Sequence, residues 1–163
     1  MGIGAKHNTK RLPTERWSEL AGMLQKPLVI LGGPEDMADG EEIKESLPDK
    51  TILNGCGRWS IHQSASIIQQ ANGIITHDTG MMHIAAAFKK KIITIWGNTV
   101  TRFGMYAYKP GKGSIDFEVQ GLRCRPCSKL GKKRCPKKHF KCMMQQDTAA
   151  IAAAANRLFR ACQ

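Results

Sequence analysis

The run Asp78-Thr79-Gly80-Met81-Met82-His83 gathers the densest set of residues able to do chemistry. An apolar stretch precedes it and a helical pattern follows, so it sits where a strand gives way to a helix. Gly80 has no Cβ and lets a ligand come close to the main chain. The amides of Gly80 to Met82 are expected to face outward at the positive end of the helix dipole, an arrangement that suits a diphosphate. Thr79 adds a hydroxyl donor. Asp78 is an acceptor and suits sugar hydroxyls better than phosphate. The competing reading is that Asp78 and Thr79 merely cap the helix, and that His83 is an ordinary half-buried histidine.

The elements that must position this run follow from hydrophobic periodicity. Gly2–Ala5 reads as a short strand, and a helix begins at Pro13 with Glu15 in its first turn and Trp17, Leu20, Ala21 and Leu24 at helical spacing. Leu28–Leu31 reads as a strand, Glu35–Ser46 as a weaker helix and Thr51–Leu53 as another strand. Ser60 and Gln63 form a capping box for a helix through Ala71, with Ile61, Ala65 and Ile68 on one face. Strands at Gly73–Thr76 and Ile92–Trp96 bracket a helix at Met81–Phe88, and a last helix runs from Asp147 to Cys162. Such alternation predicts an α/β, Rossmann-like fold: one parallel sheet with helices on both faces. Ligands of these sheets bind in the loops after the carboxyl ends of the strands. Here those loops are Lys6–Arg11, Gly32–Asp36, Gly55–Trp59, Asp78–Gly80 and Gly97–Thr101, all polar and rich in glycine.

The bulk properties narrow the class. A length of 163 residues and 42 % hydrophobic content fit one globular domain with a real core. No apolar run approaches membrane-spanning length. Lys6, His7 and Lys10 follow Met1–Ala5 at once, unlike a secretory leader, so a soluble cytoplasmic domain is expected. Of the net charge of +12, nine positive charges and no negative one lie between Gly121 and Cys142. A patch of this kind attracts nucleic acid, an acidic membrane leaflet or a phosphorylated glycan. The same segment holds Cys124, Cys127, Cys135 and Cys142, a set that zinc could occupy, although only the first pair has knuckle spacing. Free thiols or facultative disulfides are the other reading, and Cys56 and Cys162 look like buried singletons.

Several of these stretches taken in order resemble one family. The run Ile74 to Ala87, followed by Trp96-Gly97-Asn98-Thr99, is similar to the signature of glycosyltransferase family 9, which contains the ADP-heptose–lipopolysaccharide heptosyltransferases. Gly4 to Pro13 resembles the opening of that family's C-terminal domain, and Leu31 to Asp36 its second strand and loop. The cysteine segment ending Cys142-Met143 also has counterparts, so the resemblance runs from about Gly2 to Met144.

The resemblance implies the C-terminal half of a two-domain GT-B enzyme, with residues 1–163 forming a single nucleotide-sugar-binding domain and the N-terminal acceptor domain absent. The basic cysteine-rich loop would span 121–143 and the C-terminal helix 147–162. By the same resemblance Lys10 neutralises the donor's diphosphate, with Ala5 and Lys6 lining its loop. Thr79, Gly80 and Met81 hold phosphate oxygens, Asp78 contacts the heptose and His83 lies beside them. Glu35 is a candidate for the ribose, and Arg58 with Trp59 for the base. Read without the family, Lys10 is a solvated lysine, Glu35 a helix-start acid and Trp59 as much a core residue as a ligand contact.

The implied reaction transfers a heptose or similar sugar from an ADP-sugar to the lipopolysaccharide core. Amides, helix dipole and Lys10 would stabilise the departing diphosphate, so no cofactor is required for catalysis. The base that deprotonates the acceptor is expected from the other domain, leaving no catalytic residue here and an isolated chain that binds donor but transfers little or nothing. The basic loop would meet the phosphorylated core or the inner leaflet of the cytoplasmic membrane, placing the enzyme peripherally there with no nucleic acid partner. Two alternatives compete: a zinc-stabilised nucleic-acid-binding module built on the basic segment, and a UDP-sugar enzyme of the same architecture. Scarce aromatics in that segment count against the first.

Overall fold

A computed structural model describes residues 1–160. Five strands run parallel: β1 (Leu28–Ile30), β2 (Ile52–Asn54), β3 (Gly73–His77), β4 (Lys91–Trp96) and β5 (Ile115–Glu118). β1 pairs with β2, and β3 pairs with β4, which pairs with β5. Gly2 joins the two groups by bridging Leu31 on one side and Thr76 on the other. The strand expected over Gly2–Ala5 is therefore a single bridge point, beyond which the chain turns into a loop with a 3-10 turn at Asn8–Lys10. β5 was not foreseen; it is a short edge strand whose acidic Asp116 and Glu118 suit an edge.

Helices cover both faces. α1 (Thr14–Met23), α2 (Met37–Glu45) and α6 (Thr148–Leu158) close one side, where Trp17, Leu20, Ile43 and Ile151 pack on Ile75, Ile93 and Ile95. α3 (Ile61–Gln70) and α4 (Gly80–Ala87) close the other, where Ile68, Met82 and Ala85 pack on Ile74, Ile92 and Trp96. Successive side chains of β4 thus alternate between two apolar cores, as a strand covered on both faces requires. Among the described residues no helix is long and apolar enough to cross a membrane.

Several boundaries differ from the expectations, for local reasons. Pro13 stands just ahead of α1 rather than inside it. The helix expected from Glu35 opens as a 3-10 turn over Pro34–Asp36 before α2 begins. α3 has the Ser60–Gln63 capping box, but its buried face carries Ser64 and Ile68, while Ile61 is exposed at the helix start. The last helix begins after Asp147, whose carboxylate accepts from the Ala150 amide; the expected end at Cys162 lies outside the described residues. The short α5 (Lys141–Met144) was not foreseen and sets the fully buried Met143 against Gly97.

His77 ends β3 and is fully buried, edge-on to Trp17 at 5.3 Å between ring centroids. Its Nε2 accepts from the Leu12 amide at 2.9 Å, which ties the first loop to the sheet and requires an unprotonated Nε2. Burial pushes its pKa down to about 3, only partly offset by the Gly4 main chain. The buried imidazole binds protons more readily unfolded, so the stability it carries is present at high pH and lost on acidification, fading from about pH 6.5 toward 3. Burial pushes the Asp36 carboxyl upward, which acts in the opposite sense just above the usual carboxylate range. Urea unfolding between pH 7 and 4 should show stability falling by up to about 1.4 kcal/mol per pH unit for His77. The slope should flatten in His77→Gln. A flat profile in the parent chain would contradict the buried neutral imidazole.

Candidate functional site

Three loops meet at the carboxyl edge of the sheet, and a buried ion pair ties them together. Lys10 Nζ lies 2.6 Å from Asp78 Oδ2, with side-chain exposures of 11 % and 6 %. The Thr99 hydroxyl donates to the same oxygen at 3.1 Å. Lys10 comes from the loop after Gly2, Asp78 from the end of β3 and Thr99 from the loop after β4. The Asp78 carboxylate is thus paired within the fold, and no α4 amide engages it.

That commitment leaves the start of α4 uncapped. Thr79 occupies the N-cap position in extended backbone, yet its side chain makes no capping hydrogen bond. Its hydroxyl instead sits 3.4 Å from the Thr76 hydroxyl. The capping reading of Asp78 and Thr79 therefore fails. The Met82 amide, expected to face outward, donates to the Thr79 carbonyl at 3.1 Å, and Met82 is buried. Outward donors narrow to the amides of Gly80 and Met81. Gly80 is exposed, and a Cβ added there would meet nothing within 4 Å.

In front of this helix end lies a cleft of about 510 Å³. Ala5, Lys6, Glu35, Thr79, Gly80 and Met81 line it, so six of the foreseen donor-site residues converge on one space. The sheet order explains the convergence, because the loops after β1 and β3 flank the loop that follows Gly2. Arg11, Gly33 and Asp36 line it as well and were not singled out in advance. Arg11 holds Asp36 at 2.7 Å and donates to the Ala5 carbonyl at 2.7 Å, fixing the loop's course. Asp36 also accepts from the Gly33 amide at 2.7 Å. With Arg11 paired, exposed Lys6 and the α4 dipole are the electropositive features facing the cleft. Glu35, largely exposed, sits on the β1 side.

The other foreseen residues lie elsewhere. Lys10 and Asp78 stand behind the cleft wall as a pair. Trp59 packs closely over Gly55 and against the α3–α4 core, so its ring is a packing element. Arg58 and His83 are exposed and do not line the cleft.

The basic segment is partly structural. The Arg125 side chain is only 7 % exposed, donating to the carbonyls of Val119 and Thr99 and pairing with Glu118 at 2.9 Å. The eight other cations between Gly121 and Cys142 are exposed. Lys132 exchanges main-chain and hydroxyl hydrogen bonds with Thr9, which pins the segment onto the first loop. Cys56, Cys124, Cys127, Cys135 and Cys142 are free thiols, and Cys162 lies outside the described residues. Burial pushes Cys142 up to about 11 and Cys56 up to about 12, and raises Cys127 as well. Among the described residues no group of three His, Cys, Asp or Glu side chains is gathered to hold a metal ion. The four thiols of the zinc reading are therefore not gathered as a ligand set among the described residues, and Cys142 is buried in the core with Met143.

Comparison with known proteins decides the family. The model of glycosyltransferase family 9 (heptosyltransferase) matches residues 2–140. The chain belongs to glycosyltransferase family 9. It is 30 % identical over 100 residues to lipooligosaccharide heptosyltransferase 2 of Haemophilus influenzae, covering 58 % of this chain and 29 % of that protein. It is 28 % identical over 135 residues to lipooligosaccharide heptosyltransferase 2 of Campylobacter jejuni, covering 82 % of this chain and 40 % of that one. The fold matches the structure of ADP-heptose lps heptosyltransferase II of E. coli with a TM-score of 0.73 at 21 % identity, over 97 % of this chain and 45 % of the other. A family 9 glycosyl transferase from Veillonella parvula matches with a TM-score of 0.70 at 20 % identity, over 98 % and 46 %. The chain therefore spans less than half the length of these relatives.

The Lys10–Asp78 pair makes a distinct stability prediction. Removing one partner strands a buried charge, so Lys10→Met should cost about 3–5 kcal/mol in urea unfolding. Lys10→Met combined with Asp78→Asn should recover most of that loss. Additive losses in the double variant would contradict a coupled pair.

Proposed function

We propose that this chain is the donor-binding domain of a heptosyltransferase-type enzyme, and that it holds the diphosphate of an ADP-sugar at the open start of α4. The observation that carries the reading is the uncapped helix end. Two amides and a helix dipole face a cleft with no side chain in front of Gly80. A diphosphate satisfies exposed donors of this kind without further machinery. Lys6, exposed on the same cleft, supplies the cation that the sequence reading gave to Lys10. The ribose is assigned to Glu35, across the loop from Thr79.

Charge that grows on the departing diphosphate is stabilised by fixed amides rather than by reorganising water, which is where such sites gain most. The acceptor hydroxyl needs a base, and the buried, paired Asp78 does not serve as one. The transfer step thus requires groups beyond this chain. The acceptor is assigned to the lipopolysaccharide core, following the names of the relatives. The eight exposed cations of the 121–142 segment would hold the protein near an anionic, membrane-borne acceptor.

Gly80 offers a clean test, because a side chain there clashes with nothing in the fold and yet intrudes on the phosphate position. Calorimetric titration should show ADP or an ADP-sugar binding in preference to UDP and GDP counterparts. Gly80→Val should unfold at an unchanged temperature yet bind ADP at least ~10-fold more weakly, the scale of a lost charge-assisted hydrogen bond. Unaltered ADP affinity in Gly80→Val would overturn the assignment.

A further inference from the structure

The cysteines of the basic segment take no part in the donor cleft. Cys124, Cys127 and Cys135 are half-buried free thiols, whereas Cys56 and Cys142 are buried. Their surroundings carry one sign of charge. Eight exposed cations lie between Gly121 and Cys142, and no acidic residue lies between Glu118 and Asp147. One of the three accessible thiols differs from the others. Cys124 Sγ lies 3.9 Å from Nε2 of His139. The Lys141 amide donates to Nδ1 of the same ring at 3.1 Å, so Nδ1 is an acceptor and the neutral ring carries its proton on Nε2, toward the sulfur. The imidazole is thus held ready to donate to that sulfur as charge gathers on it. Among the described residues no other thiol has a hydrogen-bonding side chain against its sulfur.

Cys127 stands three positions on, in the Cys-x-x-Cys spacing of dithiols that close on themselves. Burial pushes its pKa up, and the charges of Cys135 and Cys124 add to the rise, so both of those sulfurs lie within electrostatic range of its own. Such a thiol stays protonated near neutral pH and is a poor first nucleophile, because the thiolate is the form that attacks. It becomes useful second, once the neighbouring sulfur has been oxidised. The backbone that carries the pair is fixed. The Cys127 amide donates to the Asn98 carbonyl at 3.3 Å, and Arg125, between the two cysteines, donates to the carbonyls of Gly97 and Thr99. The dithiol is therefore presented from the loop after β4 rather than from a free coil.

We propose that Cys124 and Cys127 form a thiol–disulfide exchange site for anionic low-molecular-weight disulfides, with Cys124 as the attacking thiol and Cys127 as the resolving one. In the first step the Cys124 thiolate attacks one sulfur of the small disulfide. The S–S bond breaks, a mixed disulfide forms on Cys124, and the departing thiolate takes up the proton that Cys124 released. In the second step Cys127 loses its proton and attacks the Cys124 sulfur. The mixed disulfide breaks, and the second small thiol leaves with that proton. One small disulfide is reduced to two thiols while two protein thiols are oxidised to one disulfide. The eight cations set the class of reagent, drawing an anionic disulfide to the segment and repelling a cationic one. This site is independent of the donor reading, since neither cysteine nor His139 lines the cleft.

The test uses the full chain carrying Cys162→Ser, which removes the cysteine outside the described residues. The probes are oxidised glutathione, an anionic disulfide, and cystamine, a cationic one, with each rate divided by the same reagent's rate with 2-mercaptoethanol. At low salt the normalised rate should favour oxidised glutathione at least ~10-fold, and the preference should shrink as salt is added. Peptide mapping by mass spectrometry should find a Cys124–Cys127 disulfide as the first lasting product. Cys127→Ser should halt the reaction at a mixed disulfide on Cys124. His139→Ala should slow the first step about tenfold, the scale of one hydrogen bond to a charged group. A first adduct or disulfide at Cys135, or equal normalised rates for the two probes, would overturn the proposal.

Discussion

The buried pair between Lys10 and Asp78 is the interaction on which the donor edge of this molecule depends. Two charges are withdrawn from water, and their mutual attraction with the Thr99 hydroxyl offsets that loss. The return is geometric: loops from three neighbouring strand ends are held in one arrangement before any ligand arrives. The pair also removes the nearest carboxylate from the α4 amides. A free Asp78 would be well placed to cap that helix and fill the position a phosphate needs. Tying it to Lys10 keeps the helix end open.

The rest of the architecture serves the same edge. Arg11 neutralises Asp36 and grips the Ala5 carbonyl, which keeps the loop after Gly2 flat against the cleft. Arg125 does similar work from the basic segment, spending one of nine cations on carbonyls around the end of β4. The remaining eight face solvent, so scaffold and electrostatic surface share one stretch of chain. His77 links the first loop to β3 through its neutral ring. Arg11 lines the cleft while Arg125 and His77 do not, and each of the three holds a loop in place through main-chain hydrogen bonds.

Much of the fold was legible because its signals are local. The Ser60–Gln63 capping box, the apolar runs of β3 and β4 and the helical spacing from Trp17 to Leu24 each declare an element within a few residues. The convergence of the loops that carry Ala5, Lys6, Glu35 and Thr79 to Met81 was legible too, since parallel sheets place their loops at one edge, while Ala5, Lys6 and Glu35 themselves were pointed out by the family resemblance. What escaped was long-range. The partner of Lys10 lies 68 positions away, so nothing near Lys10 marks it as paired rather than solvated. Charge counting could not separate Arg125 from its exposed neighbours. β5 is four residues long with two acids, too short and too polar to stand out. Trp59 reads equally as ligand contact or packing until Gly55 is seen beneath it.

The central claim is that two main-chain amides at the start of α4 grip a diphosphate. Amide chemical shifts recorded during titration with ADP test it directly, without relying on any substitution. The account predicts that the Gly80 and Met81 resonances move most and saturate together, with smaller changes at Ala5 and Lys6. Saturable binding that leaves Gly80 and Met81 unmoved, or that centres on the 121–142 segment, would contradict it.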